Sequence, residues 1–116
     1  MTSGEAPPSE AEPFHVRSAD SGDWWCLMTL TGELDPASGP RLHEAVDEAL
    51  RRGRRHIAVD ASALSFIDSS GLVALLTARD RTNAAGGSFR LTAASPAVTR
   101  LLEVCGLTDE LMHRRR

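Results

Sequence analysis

Short apolar runs alternate with amphipathic helical stripes between residues 24 and 105, and that alternation constrains the fold more than any other feature of the chain. From Trp24 to Thr31 the apolar side chains repeat every second residue. Cys26, Met28 and Leu30 fall on one face, and Trp25, Leu27 and Thr29 on the other, as in a strand. Leu42, Ala45, Val46, Ala49 and Leu50 then recur at i, i+3, i+4, i+7 and i+8, the stripe of a helix packed on one side. His56 to Asp60 is a short apolar run between polar ends, the pattern of a strand covered on both faces. Leu72, Leu75 and Leu76, broadened by Val73, give a second helical stripe that ends near Asn83. Ser88 to Thr92 is a further strand with Phe89 and Leu91 on one face. Val98, Leu101, Leu102 and Cys105 are the inward face of a third helix. Phe14 and Val16 suggest a short edge strand ahead of these, and Leu107 to Met112 a last short strand or helical turn. The order β-β-α-β-α-β-α implies right-handed crossovers and an α/β fold with a mostly parallel sheet.

The punctuation agrees. Ser18 to Asp23 is turn chemistry. Asp35-Pro36 suits an N-cap and first helical position, although Gly39 and Pro40 can delay the regular helix by a turn. Gly53 ends that helix, with Glu48 and Arg52 as an i,i+4 pair on its surface. Ser95-Pro96 opens the third helix and Gly106 stops it. Residues 1–13 are rich in Pro, Glu, Ser and Ala and cannot bury enough apolar surface to order themselves, so a flexible tail is expected there. Residues 14–113 form a single domain.

Composition excludes several functions. A chain of 116 residues has one core and little volume for a deep pocket, which favours a site on the surface. All 13 basic residues are arginine, so Schiff-base and P-loop lysine chemistry are impossible. A formal charge of −3 is the wrong footprint for nucleic acid. No apolar run approaches the roughly 18 residues of a membrane span. The N-terminus lacks a basic region and an apolar core, so no export signal is expected and the cytoplasm is the expected compartment. Cys26 and Cys105 match no metal spacing and read as buried small apolar residues. His15, His43, His56 and His113 are scattered, and neither a metal nor a cofactor is expected. Arg51, Arg52, Arg54 and Arg55 flank a helix C-terminus, where cations favour the dipole. Trp24 and Trp25 are adjacent and should point to opposite faces of a strand, one into the core and one outward as a contact.

The most informative stretch runs from Asp60 to Leu72 and contains Asp68-Ser69-Ser70-Gly71 where a loop becomes a helix. The first turn of a helix has unpaired N–H donors and the positive end of the macrodipole. Gly71 lets another molecule approach the backbone. In one reading Asp68 or Ser69 simply caps the helix. In a second a serine is a nucleophile, but no Gly-x-Ser-x-Gly elbow or evident base accompanies it. In a third a serine accepts a phosphoryl group, which adds about −1.5 to −2 charges and three acceptor oxygens.

The residues then match a known pattern. Thr31-Gly32-Glu33-Leu34-Asp35, Asp60 through Leu72, Gly86-Gly87, Ser95-Pro96-Ala97-Val98 and Leu102 to Leu107 occur in the order and spacing of the STAS domains of bacterial anti-sigma-factor antagonists, which the chain resembles over all but its tail. The resemblance implies a small mixed, mostly parallel β-sheet covered by α-helices. It implies no enzymatic activity, and a phosphorylation site at the serine after the Asp, here Ser69. Ser70 is the fallback and otherwise a cap. It implies that the unphosphorylated form binds an anti-sigma factor that is itself a serine kinase carrying its own ATP, so that the sigma factor is released. Phosphorylation breaks that complex and a separate serine phosphatase restores it. The resemblance also places Asp35 near the acceptor, so that Asp35, Asp68, Ser69, Ser70 and Gly71 form the partner-binding surface. N-capping is the simpler role for both aspartates. The alternative is a STAS accessory or scaffold subunit of a transport or signalling complex without phosphorylation. A hydroxyl at Ser69 favours the first, because a scaffold needs none there. Trp24 and Trp25 lie outside the family pattern.

Overall fold

The structure, a computed structural model, describes residues 13–112. Most of the expected tail and His113 lie outside the described residues. The elements are β1 (His15–Ser21), β2 (Trp25–Leu34), α1 (Gly39–Arg51), β3 (His56–Ile67), α2 (Ser69–Ala84), β4 (Ser88–Ala94), α3 (Pro96–Cys105) and α4 (Thr108–Met112). The four strands form one sheet in the order β1-β2-β3-β4. β1 is antiparallel to β2, whereas β2–β3 and β3–β4 are parallel. The sheet is therefore mixed and mostly parallel, as expected.

One face of the sheet carries the core. Cys26 and Met28 of β2 stand beside Ile57 and Val59 of β3, which stand beside Phe89 and Leu91 of β4. Onto these rows α1 lays Leu42, Val46 and Ala49, and α2 lays Leu72, Ala74, Leu75 and Ala78. Val98 and Leu102 of α3 and Leu111 of α4 complete a single cluster. Burial of a Leu-sized side chain is worth about 1.5–3 kcal/mol, and it is these aligned stripes, more than helix propensity, that hold the helices down.

Several elements depart from the sequence expectation. β1 runs through Ser18–Ser21, and the turn is confined to Gly22–Trp24. The ladder wins over local turn chemistry because Asp20 is fastened by Arg52 and Arg54. These arginines, expected only to complement the dipole at a helix C-terminus, pin the β1–β2 hairpin to the end of α1. Arg54 also donates to the carbonyl of Gly22 at 2.8 Å. β3 continues past Asp60 to Ile67, where a loop was expected. Register shifts against β2 and β4 break the period-2 pattern that marks a strand, yet Ala61, Leu64 and Ile67 still turn inward. Cys105 is exposed, not buried, since it sits in the last turn of α3 before Gly106 reverses the chain at φ 70°. Neither tryptophan enters the core. Trp24 is in the turn and 60% exposed, and Trp25 lies on the outer sheet face, tilted against the ring of His56 at 5.0 Å.

Candidate functional site

The site lies where two strands end side by side and two helices begin. β2 ends at Leu34, beside Ile67 at the end of β3. Asp35 follows the first and Asp68 the second. Gly71 sets how closely α2 approaches: a Cβ there would lie 2.3 Å from the carbonyl oxygen of Leu34 and 2.8 Å from Cγ1 of Ile67. Only a residue without a side chain lets the first turn of α2 press against the end of β2. The constraint is steric; the residue needs no unusual φ.

Asp68 is the N-cap of α2, with extended backbone and a side chain that accepts from the Gly71 N–H at 2.9 Å. That takes the capping role away from both serines, and Ser70 is not a cap. Ser69 and Ser70 occupy the first two helical positions, are exposed, and among the described residues their hydroxyls make no hydrogen bond. Their amide groups belong to the set of helical N–H donors that have no partner in the i→i−4 ladder.

Asp35 orders the other junction. Its Oδ1 accepts from the amides of Ala37 and Ser38, both at 3.1 Å, and lies 2.7 Å from Ser38 Oγ. The Ser38 hydroxyl, nearly buried, also lies 2.9 Å from the Glu33 carbonyl and donates its one hydrogen to either acceptor. Asp35 therefore caps a turn at Pro36–Ser38, and the regular helix begins at Gly39 with Ser38 at the N-cap position, its hydroxyl bonding no helix amide. The delay anticipated from Gly39 and Pro40 is present.

Between the two helices lies a shallow groove of about 330 Å³ lined by Asp35, Pro36, Gly39, Pro40, His43, Ser70, Val73, Ala74 and Thr77. The structure thus brings Asp35 and Ser70 to one groove, with Ser69 and Asp68 next to Ser70 along the chain. His43 spans the groove floor, its Nε2 3.1 Å from the Ala74 carbonyl oxygen. Sequence reasoning missed His43, Ser38 and Thr77, which the fold alone brings together. It also assigned Val73 to the core-facing stripe. Val73 is 59% exposed because Ala74 and Ala78 fill the position between α1 and α2 instead. Phe66, three residues before Ser69, is exposed as well. The acceptor candidate is therefore flanked in sequence by two exposed apolar side chains. Among the described residues no cluster of His, Cys, Asp and Glu suits a metal ion, and no helix is long and apolar enough to cross a membrane.

Against this geometry, comparison with known proteins is direct. The family model described as Mlab, STAS domain matches residues 18–113. The chain is 35% identical over 82 residues to the anti-sigma F factor antagonist of Paenibacillus polymyxa, spanning 70% of each chain. It is 33% identical over 86 residues to the anti-sigma-B factor antagonist of Staphylococcus aureus, covering 74% of this chain and 79% of that one. The fold matches the anti-sigma factor antagonist SpoIIAA in its unphosphorylated form with a TM-score of 0.72 at 23% identity, over 88% of this chain and 90% of that one. It matches an anti-sigma factor antagonist from Mycobacterium paratuberculosis with a TM-score of 0.73 at 22% identity, over 92% and 87%. The chain belongs to the STAS-domain family of anti-sigma-factor antagonists.

Proposed function

We propose that the chain is a phosphorylation-switched binding protein. In the unphosphorylated form it binds an anti-sigma factor, a serine kinase with its own ATP, and so releases the sigma factor. The kinase transfers a phosphoryl group to Ser69, the complex dissociates, and a serine phosphatase resets the switch. The chain contributes the acceptor hydroxyl and the docking surface, and no catalysis.

The observation that carries this reading is the division of labour at the start of α2. Asp68 satisfies the cap, so the Ser69 hydroxyl has no structural task and stands exposed at a helix N-terminus. A phosphate there adds about −1.5 to −2 charges close to Asp68, where the helix dipole tolerates it but a docked partner does not. Burying such a charge without a cation costs several kcal/mol, and each 1.4 kcal/mol is about tenfold in affinity. One modification can abolish a tight complex without refolding either protein. Phe66 and Val73 supply apolar surface around the switch, and Asp35, held rigid by its own turn, supplies a second charge at the groove.

The test is a capture experiment with the full chain from its native host, with and without ATP, followed by mass-spectrometric mapping of the modified residue. A small ATP-binding kinase retained without ATP, lost with ATP, and phosphate at Ser69 are expected. Retention of a transport ATPase, with Ser69 unmodified, would contradict the proposal and favour the accessory-subunit reading. Phosphate at Ser70 would move the acceptor by one residue.

A further inference from the structure

Three polar residues are buried among the described residues: Ser38, Thr82 and Ser95. Two of them have a plain structural task. Thr82 donates to the Ala78 carbonyl of its own helix at 2.9 Å, and Ser95 caps α3 by accepting from the Val98 amide at 3.3 Å. Ser38 has neither task. It stands at the N-cap position of α1, but its backbone is already helical at φ −94° and ψ −22°, and its hydroxyl bonds no amide of α1. The hydroxyl turns back instead, lying 2.7 Å from Asp35 Oδ1 and 2.9 Å from the Glu33 carbonyl oxygen. Its single hydrogen serves one acceptor at a time, and the carboxylate oxygen is the nearer and the stronger. A serine 7% exposed thus gives up the capping role that its position offers and spends its hydroxyl on the Asp35 turn.

Resting on the binding role proposed above, we infer that Ser38 is a positioning residue of the docking surface, which holds the Asp35 carboxylate in the orientation a partner meets. Three bonds converge on Asp35 Oδ1, from the Ala37 amide, the Ser38 amide and the Ser38 hydroxyl. Oδ2 makes no hydrogen bond among the described residues, and Asp35 lines the groove between α1 and α2. One oxygen anchors the side chain and the other is left for a partner. The two amides fix the anchoring oxygen within the turn. The hydroxyl adds a link to the end of β2, because it reaches the Glu33 carbonyl as well. That end is also where α2 seats. Leu34 lies between Glu33 and Asp35, and a Cβ on Gly71 would meet its carbonyl oxygen at 2.3 Å. Residues 33–35 therefore carry the Asp35 turn on one side and the first turn of α2, with Ser69, on the other. A carboxylate ordered before docking loses less side-chain entropy on binding than a free one. Ser38 is nearly buried, offers a partner little contact of its own, and acts through Asp35.

The test is calorimetric titration of the full, unphosphorylated chain and its variants with the kinase captured from the native host. Ser38→Ala should weaken binding at least about tenfold with unchanged circular dichroism, and so should Asp35→Ala. In the Asp35→Ala background, Ser38→Ala should change the affinity by less than about threefold, because no carboxylate remains to be oriented. Ser38→Thr keeps the hydroxyl and should bind within about threefold of wild type. Ser95→Ala removes another buried serine and is the control: it should lower the melting temperature and leave the affinity unchanged. Full affinity of Ser38→Ala, a loss that persists undiminished in the Asp35→Ala background, an equal loss in Ser95→Ala, or no recovery in Ser38→Thr would overturn the inference and leave the proposed binding role standing. Failure of the wild-type chain to bind any kinase of its host would instead overturn that role, and the inference with it.

Discussion

At the start of α2 two neighbouring residues share tasks that either could perform alone. Asp68 accepts from the Gly71 amide, and the Ser69 hydroxyl makes no hydrogen bond within the described residues. The two therefore respond differently to replacement. Asp68→Ala removes a cap and should lower the unfolding free energy by about 0.5–2 kcal/mol in urea titration. Ser69→Ala removes no intramolecular contact and should stay within about 0.5 kcal/mol of wild type while abolishing the phosphorylated band on a phosphate-affinity gel. Gly71→Ala should cost at least about 1–3 kcal/mol, since its Cβ would meet the Leu34 carbonyl at 2.3 Å and backbone must shift to admit it. The presence of Asp-Ser-Ser-Gly at a helix start was legible in the sequence. Which residue caps and which stands free was not, because Asp, Ser and Thr hydroxyls and carboxylates compete for the same amides and only the backbone angles at Asp68 decide.

At the level of elements, the hairpin β1–β2 is tied to α1 by charge. The Arg52 guanidinium bonded to Asp20 holds its carboxyl below the usual aspartate range, Arg51 holds that of Glu48 below the usual glutamate range, and the Ser62 hydroxyl and amide lower that of Asp60. A carboxyl whose folded value is depressed contributes stability above its unfolded value and loses it as pH falls through the folded value. Unfolding midpoints should therefore drop as pH falls below about 4, and Asp20→Asn should be less stable than wild type at neutral pH but converge with it in acid. Burial pushes the Cys26 thiol up, whereas Cys105 is exposed, so a thiol reagent should label Cys105 quickly and Cys26 only on unfolding. Helix α1 and strand β4 were readable because their apolar spacing is unbroken, whereas β2 runs on past Thr31 to Leu34 through register shifts and the stripe of α2 wrongly took in Val73. The second half of β3 was not readable, because register shifts spoil the alternation. Cys105 was misplaced because helical spacing assigns a face but not the point where α3 leaves the core.

For the whole molecule, the layer arrangement separates two surfaces. The helices cover one sheet face and deliver the starts of α1 and α2, with Asp35 and Ser69, to one end of the domain. Among the described residues nothing covers the other sheet face, and Trp25 and Leu27 are exposed on it. The strand–helix alternation implied the α/β fold, and it was the family resemblance that put Asp35 near Ser69. The open face was hidden, because adjacent tryptophans in a strand-like run imply one buried ring, and only the register places Trp24 in a turn and Trp25 outside. The −3 charge acquires meaning at this scale too: the proposed switch adds about two negative charges to a domain already acidic, at the end where Asp35 and Asp68 stand.

The central claim is that charge at Ser69 governs binding. Calorimetric titration of the cognate kinase with the unphosphorylated chain, the chain phosphorylated at Ser69, and Ser69→Asp measures it most directly. Tight binding of the first, loss of at least about a hundredfold (roughly 2.8 kcal/mol) for the second and a smaller loss for Ser69→Asp are predicted. Equal affinity of the phosphorylated and unphosphorylated chains would contradict the account.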